Sequence, residues 1–268
     1  TRDKNMVVLA GLPLTVNGVL YNVAAVLHDG DILGFVPKSY LPTYSEFYEG
    51  RHYHSGADIE TDVLFNGRTY PFGTRLLFRC RQMPAFTLGI EICEDLWVAQ
   101  PPSISHALAG ATVIANLSAS DETTGKDIYR RSLVSGQSAR LVCGYIYADA
   151  GEGESSTDLV FGAHNLICEN GSILAESERF SNQMIMADMD MSKLISERRR
   201  MTTWQPKFDN GYRVIDFDLE MHEVDLRRFI DPHPFVPDDA MDRTRRCEEI
   251  LTIQAMGLKK RLAHTHCR

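Results

Sequence analysis

Cys93 sits in the run Gly89-Ile-Glu-Ile-Cys-Glu-Asp-Leu-Trp97, directly after a strand-like stretch from Phe86 to Ile92. Carboxylates follow it at Glu94 and Asp95. A thiol leaving the end of a buried strand among ionisable groups is placed for nucleophilic attack, because the thiolate is the attacking species and its neighbours tune how much of it is present. Upstream, Lys38-Ser-Tyr-Leu-Pro42 offers a lysine at the end of another strand-like run. Amide hydrolysis needs a nucleophile for the carbonyl, a base that takes its proton and hands it to leaving ammonia, and a group that stabilises the oxyanion. Cys93 fits the first role. Lys38 fits the third, and its ammonium would also favour a thiolate beside it. Backbone N–H groups after the nucleophile, beginning at Glu94, offer further oxyanion donors. A carboxylate base should complete the set.

The elements that must position these groups are legible as short apolar runs between turn signals. Tyr21 to Leu27 and Ile32 to Val36 flank His28-Asp-Gly-Asp31, and Asp-Gly between apolar runs is a strong hairpin signal. His164 to Cys168 and Ser172 to Ala175 flank Glu169-Asn-Gly171 in the same way. Further strands are predicted at Met6 to Ala10, Leu76 to Phe78, Phe86 to Ile92, Thr112 to Leu117, Gly144 to Ala148 and Met184 to Met189. Helices are predicted at Ser103 to Ala109, at Asp127 to Leu141 and at Met191 to Arg200, the last with Asp190 as N-cap. In the second of these, Ile128, Ser132, Ser135 and Ala139 share a small-residue face that suggests close packing on a sheet. Alternating strands and helices mixed with hairpins favour a layered α/β domain with mixed sheets over a barrel.

Composition shifts near Glu220. His233-Pro-Phe-Val-Pro237 reads as an extended linker, since each proline biases its predecessor away from helix. Asp238 to Ala263 then reads as an amphipathic helix with Leu251, Ala255, Leu258 and Leu262 at helical spacing, a stripe that needs a partner. Thr1 to Asn5 runs straight into a strand, and His264-Thr-His-Cys-Arg268 cuts off that helix without a cap, so the chain reads as a piece of something longer. The expected division is residues 1–222 for the α/β domain and 223–268 for a linker and helix leading into a further domain.

Net charge bounds the partners. A formal charge of −8 argues against a nucleic-acid role, because phosphate binding wants a basic face, and Arg198-Arg-Arg200 reads as a solvated helix end. No apolar stretch reaches the roughly 20 residues that span a bilayer. The six cysteines show no regular spacing. Cys80, Cys143 and Cys168 read as buried small hydrophobes, and a reducing cytoplasm fits better than a disulfide framework. His52 and His54 lack a third ligand at a persuasive spacing, so no metal is expected. Trp97 reads as a pocket wall.

Longer motifs carry a resemblance. Gly34-Phe-Val-Pro-Lys-Ser-Tyr-Leu-Pro-Thr-Tyr-Ser-Glu-Phe-Tyr-Glu-Gly-Arg51 resembles the lysine segment of the nitrilase (carbon-nitrogen hydrolase) superfamily. Ile90 to Trp97 resembles its nucleophile segment, as that segment stands in the glutaminase domains of glutamine-dependent NAD⁺ synthetases. Asn116 to Arg131 resembles their glutamine-binding segment, and Gly151 to Phe161, His233 to Pro237 and Arg245 to Gln254 also fit. The resemblance implies a four-layer α-β-β-α sandwich with two mixed β-sheets. It implies Cys93 as nucleophile, Lys38 as catalytic lysine and Glu49 as the glutamate that orients it. It implies Tyr44, Ser120, Lys126 and the backbone of Glu94 as glutamine contacts. It further implies hydrolysis of L-glutamine through a thioester on Cys93, with no metal or organic cofactor, and ammonia passed to an ATP- and Mg-dependent synthetase domain of the parent chain that amidates deamido-NAD⁺. Members form homo-oligomers.

One departure matters. The superfamily's general base is a glutamate in a Pro-Glu context well before the lysine, and this chain has no glutamate before Glu46. It also has no Ser-Gly-Gly-x-Asp-Ser loop for ATP pyrophosphate. The chain is therefore expected to be impaired as given. A stand-alone amidase with another substrate and a non-catalytic assembly module are the alternatives.

Overall fold

The structure is a computed structural model that describes residues 1–154, 158–207 and 211–266. The chain divides into two compact units, Thr1–Leu226 and Arg227–Arg268.

The first unit holds two mixed sheets. The five-stranded sheet has the order β1-β2-β3-β5-β4, from β1 (Val7–Val16), β2 (Val19–His28), β3 (Asp31–Pro37), β4 (Glu60–Phe65) and β5 (Arg68–Gly73). The seven-stranded sheet has the order β11-β10-β9-β8-β7-β6-β12, from β6 (Leu76–Cys80), β7 (Thr87–Ile92), β8 (Val113–Ser118), β9 (Gly144–Asp149), β10 (Leu166–Glu169), β11 (Ser172–Glu176) and β12 (Arg213–Phe217). Period-2 alternation sorts their side chains. Ala24, Val26, Val36, Phe78, Ile90, Val113 and Ala115 fill one core that draws on both sheets. Leu77, Ile114, Tyr145, Tyr147 and Leu166 point the other way, into a second core with α1 (Pro102–Leu108) and α2 (Lys126–Leu141). The opposite face of the five-stranded sheet carries a third cluster, whose buried members, among them Val23, Phe35 and Phe72, all come from β1 to β5. Cys80, Cys143 and Cys168 are buried as small hydrophobes.

Four two-residue turns set the hairpins. Asn17-Gly18, Asp29-Gly30, Asn66-Gly67 and Asn170-Gly171 all take positive φ at both positions, the geometry whose twist matches paired strands. The second and fourth are the hairpins expected above. The first and third join β1 to β2 and β4 to β5 in antiparallel register, and neither hairpin was expected.

Four expectations are corrected. β1 runs on to Val16, well beyond Ala10. Met184 to Met189 forms no strand: Ile185 and Ala187 are partly buried while Met184 and Met186 are exposed, but the alternation stops at Asp188, which is partly buried like Met189. Helix α2 packs through Arg130, Val134, Gln137, Ser138 and Leu141, leaving Ile128, Ser132 and Ala139 exposed; its buried face is the one carrying larger and polar groups that find partners. Arg198, the last buried residue of α3 (Met191–Arg200), is no solvated helix end. Its guanidinium donates to Leu141 O and Val142 O at 3.0 Å each, satisfying carbonyls that the end of α2 leaves open. Asp190 caps α3 as expected, accepting from Lys193 N at 2.9 Å.

Close approach of α1 to β7 depends on Gly89. A Cβ there would lie 2.9 Å from His106 Cβ. His106 is buried, its Nε2 bonded to Ile90 O at 3.0 Å and its Nδ1 to Tyr212 Oη at 2.7 Å. The carbonyl fixes the proton on Nε2, so Nδ1 accepts from the phenol. Burial lowers the imidazole to about 4. Because the unfolded chain binds this proton more readily, His106 destabilises the fold progressively as pH falls from about 6.5 towards 4, by at most about 3 kcal/mol. In urea titrations, the stability of His106→Gln relative to wild type is therefore expected to improve across that window; a pH-independent difference would contradict the assignment.

The second unit contains α4 (Ala240–Thr265), which carries Leu251, Ala255, Leu258 and Leu262 at helical spacing. Asp239 caps it, accepting from Asp242 N at 2.8 Å.

Candidate functional site

Strands β7, β8 and β9 run parallel, with Ile92 opposite Leu117 and Ser118 opposite Asp149. Their carboxyl ends share one sheet edge, where parallel α/β sheets place their ligands. Cys93 follows β7 at once and takes φ 47°, in the left-handed region that a non-glycine residue enters at a cost of about 1–3 kcal/mol. Asn116, buried on β8, holds it there. Cys93 N donates to Asn116 Oδ1 at 2.9 Å, and Asn116 Nδ2 donates to Cys93 O at 3.4 Å and Tyr145 Oη at 3.3 Å. Tyr145 in turn donates to Glu91, whose other oxygen accepts from Ser103 N at 2.8 Å. Burial raises the Glu91 carboxyl above its ordinary range.

Lys38 arrives from the other sheet, directly after β3, with its N–H on Asn22 O at 2.9 Å. Its side chain is 4% exposed, and its ammonium pairs with Glu49. The other Glu49 oxygen accepts from Asn22 Nδ2 at 2.7 Å. Lys38, Glu49 and Cys93 line one cavity of about 350 Å³, together with Asn22, Phe47, Tyr53 and Ser118. Glu49 is the one carboxylate among the described residues lining it, and both its oxygens are already engaged.

The remaining expected contacts do not line this cavity. Tyr44 Oη donates to Glu94 Oε1 at 2.8 Å. Ser120 is buried, its N–H on Asp149 Oδ1 at 2.9 Å and its hydroxyl accepting from Arg130 Nη2 at 3.4 Å. Lys126 pairs with Asp121 and lies 5.3 Å above the Trp97 ring, so its charge is already matched. Trp97 packs against Tyr129 with 5.4 Å between ring centres and is not a wall of this cavity. Within the expected segment Gly151 to Phe161, residues 155–157 lie outside the described residues, and Asp158 accepts from Tyr48 Oη at 3.0 Å.

Sequence reasoning gave no role to Asn22, Asp95, Asn116 or Arg130. Arg130 is buried and holds the loop after β8, donating to Glu122 Oε2 at 2.9 Å, Asp121 O at 3.2 Å and His164 Nδ1 at 3.1 Å. His164 must therefore carry its proton on Nε2, which donates to Glu176 Oε1 at 2.8 Å. Asp149, 3.9 Å from Arg130, is pushed up to about 7 by burial. Nothing local marks Arg130 for this network, since it stands between Tyr129 and Arg131 in the second turn of α2. Asn116 and Asp95 lie inside motifs that were noticed, but their side chains act on backbone atoms, which no residue pattern specifies.

Two mixed sheets, with a cysteine and a lysine–glutamate pair meeting at their ends, define the layered α/β architecture of nitrilase-type proteins. Residues 1–199 match the carbon-nitrogen hydrolase family, and the chain belongs to it. It is 45% identical over 266 residues to the glutamine-dependent NAD(+) synthetase of Mycobacterium tuberculosis, an alignment covering 96% of this chain and 39% of that protein. Among solved structures, a glutamine-dependent NAD(+) synthetase from Cytophaga hutchinsonii matches with a TM-score of 0.58 and 31% identity, over 66% of this chain and 28% of that one. A carbon-nitrogen hydrolase from Helicobacter pylori shares the fold, with a TM-score of 0.59 at 18% identity, over 76% of this chain and 68% of that one. The chain spans about two fifths of the length of these curated relatives. No helix of the described residues is long and apolar enough to cross a membrane.

Proposed function

We propose that this chain is the glutamine amidohydrolase part of a glutamine-dependent NAD⁺ synthetase. The observation that carries the reading is the cavity shared by Cys93, Lys38 and Glu49, at the carboxyl ends of strands from two different sheets. The thiolate of Cys93 attacks the carboxamide carbon of L-glutamine, the oxyanion forms within reach of the Lys38 ammonium, and ammonia departs as the thioester forms. Water then attacks the thioester and releases glutamate. Glu49 holds Lys38 in place rather than serving as base, because both its oxygens are engaged. The base, a glutamate not among these residues, takes the thiol proton and returns it to the departing nitrogen, and in the second step takes a proton from water and returns it to sulfur. Tyr44, Ser120, Lys126 and the backbone of Glu94 contact the glutamine. Residues 1–222 form the amidohydrolase domain. Residues 223–268 lead to a synthetase domain that uses ATP, Mg and deamido-NAD⁺ in the cytoplasm, the apolar stripe of α4 packs on that domain or on another subunit, and the assembly is a homo-oligomer.

A non-catalytic assembly role is the second reading, favoured by the lack of a free carboxylate among the described residues lining the cavity. Ammonia release from a panel of small amides separates the readings. The intact gene product is expected to prefer glutamine strongly, with this chain alone far slower; broad use of aliphatic amides would point to a stand-alone amidase, and no release from any amide to an assembly module.

A further inference from the structure

One carboxylate ties the two halves of the cavity together. Asp95 is buried, in the turn just past Cys93. Its Oδ1 accepts from Ser39 N at 3.1 Å and Tyr40 N at 2.8 Å, and its Oδ2 from Ile92 N at 2.9 Å and Ser39 N at 3.4 Å. Ser39 and Tyr40 directly follow Lys38; Ile92 directly precedes Cys93. The donors therefore belong to the two segments that must be held at a set spacing, one leaving each sheet. Tyr44 Oη also reaches across to Glu94, but from side chain to side chain in an exposed contact, whereas Lys38 is bonded to Glu49 and Cys93 to Asn116 through its backbone.

We propose that Asp95 is a positioning residue that holds the Lys38 segment against the Cys93 turn, so that ammonium and sulfur face the same substrate carbonyl. The proposal rests on the reading of Cys93 as nucleophile and Lys38 as its cation. An ionised carboxylate suits this task because it accepts on both oxygens and donates from neither, so it can face backbone N–H groups on two sides; burial pushes Asp95 up to about 7, and the N–H groups of Ile92 and Tyr40 work against that rise. An asparagine cannot do the same. One of its two lobes becomes an NH₂ group that would meet an N–H head-on, and either the lysine side or the cysteine side of the clip opens.

The test uses Asp95→Asn in the intact gene product, with two readouts. The first is the rate of Cys93 alkylation by iodoacetamide at neutral pH, followed on the Cys93 peptide by mass spectrometry so that other thiols do not interfere. The second is the separation of kcat from KM in glutamine hydrolysis. An opened clip moves the ammonium away from the sulfur, so alkylation is expected to slow by about tenfold. A displaced lysine is expected to lower kcat about a hundredfold while KM stays within about threefold. A residue that merely fills the core would loosen the fold when replaced and leave alkylation unchanged or faster; that result overturns the proposal. Lys38→Met is measured in parallel. If it slows alkylation while Asp95→Asn does not, the positioning role fails and the reading of the site survives. If Lys38→Met itself alkylates like wild type, the underlying reading fails and takes the proposal with it. Should Asp95→Asn not fold, Asp95→Glu decides by the same alkylation rate: slowing supports the clip, and an unchanged rate removes it.

Discussion

Cys93→Ala is expected to lower kcat for glutamine hydrolysis by about four orders of magnitude or more, because it removes the atom that forms the covalent intermediate. The loss should come without collapse of the fold. Cys93 is held by its backbone N–H and carbonyl, both on Asn116, and alanine keeps both groups. Its positive φ strains alanine about as much as cysteine, so the thermal midpoint should stay within a few degrees of wild type. Ammonia release and a thermal melt on one preparation check the pair of expectations. Residual activity near wild type would show that another group attacks the substrate.

The second large effect concerns the buried ion pair. Lys38→Met is expected to cost about two to three orders of magnitude in kcat/KM, the range seen when one oxyanion-stabilising group is removed. It should also destabilise the fold, because Glu49 is left as a mostly buried carboxylate without its cation; breaking one side of such a pair costs about 3–5 kcal/mol. Adding Glu49→Gln removes the stranded charge. The double variant should therefore recover much of the stability while activity stays lost, and urea titrations alongside steady-state rates would read both. If activity returned with stability, Lys38 would be a structural residue and the oxyanion would need another partner.

Much of this arrangement was legible in the residues. Asp29-Gly30 and Asn170-Gly171 announced hairpins, and β7, β8 and β9 read as apolar runs because parallel strands buried on both faces favour them. Asn17-Gly18 and Asn66-Gly67 carry the same turn signal, the first between apolar strands and the second between strands of weaker apolar pattern. β4 is largely exposed, with Glu60, Thr61, Asp62 and Leu64 all open to solvent. An edge strand held mainly by its ladder leaves a weak composition signal. Met184 to Met189 departs the opposite way, with strand-like alternation over its first four residues and no strand formed.

The site divides along a similar line. Cys93 and Lys38 stand out because the chemistry needs those residue types, Glu49 comes only with the resemblance, and all three line the one cavity. Tyr44, Ser120 and Lys126 were read by position alone and do not line it, each being engaged with a neighbour instead. Asn116 and Asp95 act on backbone atoms of other segments, and Arg130 acts on the side chains of Glu122 and His164 and on the carbonyl of Asp121. Which backbone atoms a side chain will meet follows from the strand order and register, and these are properties of the folded chain rather than of any local spacing.

The central claim is that the sulfur of Cys93 attacks a glutamine carboxamide within reach of Lys38. A glutamine analogue bearing a diazo ketone or chloroketone in place of the amide tests it directly, by peptide mass spectrometry of the intact gene product with and without glutamine. The expected result is a single adduct on the Cys93 peptide, suppressed by glutamine and lost in Cys93→Ala. Labelling of another cysteine, or no labelling while the protein remains folded, would contradict it.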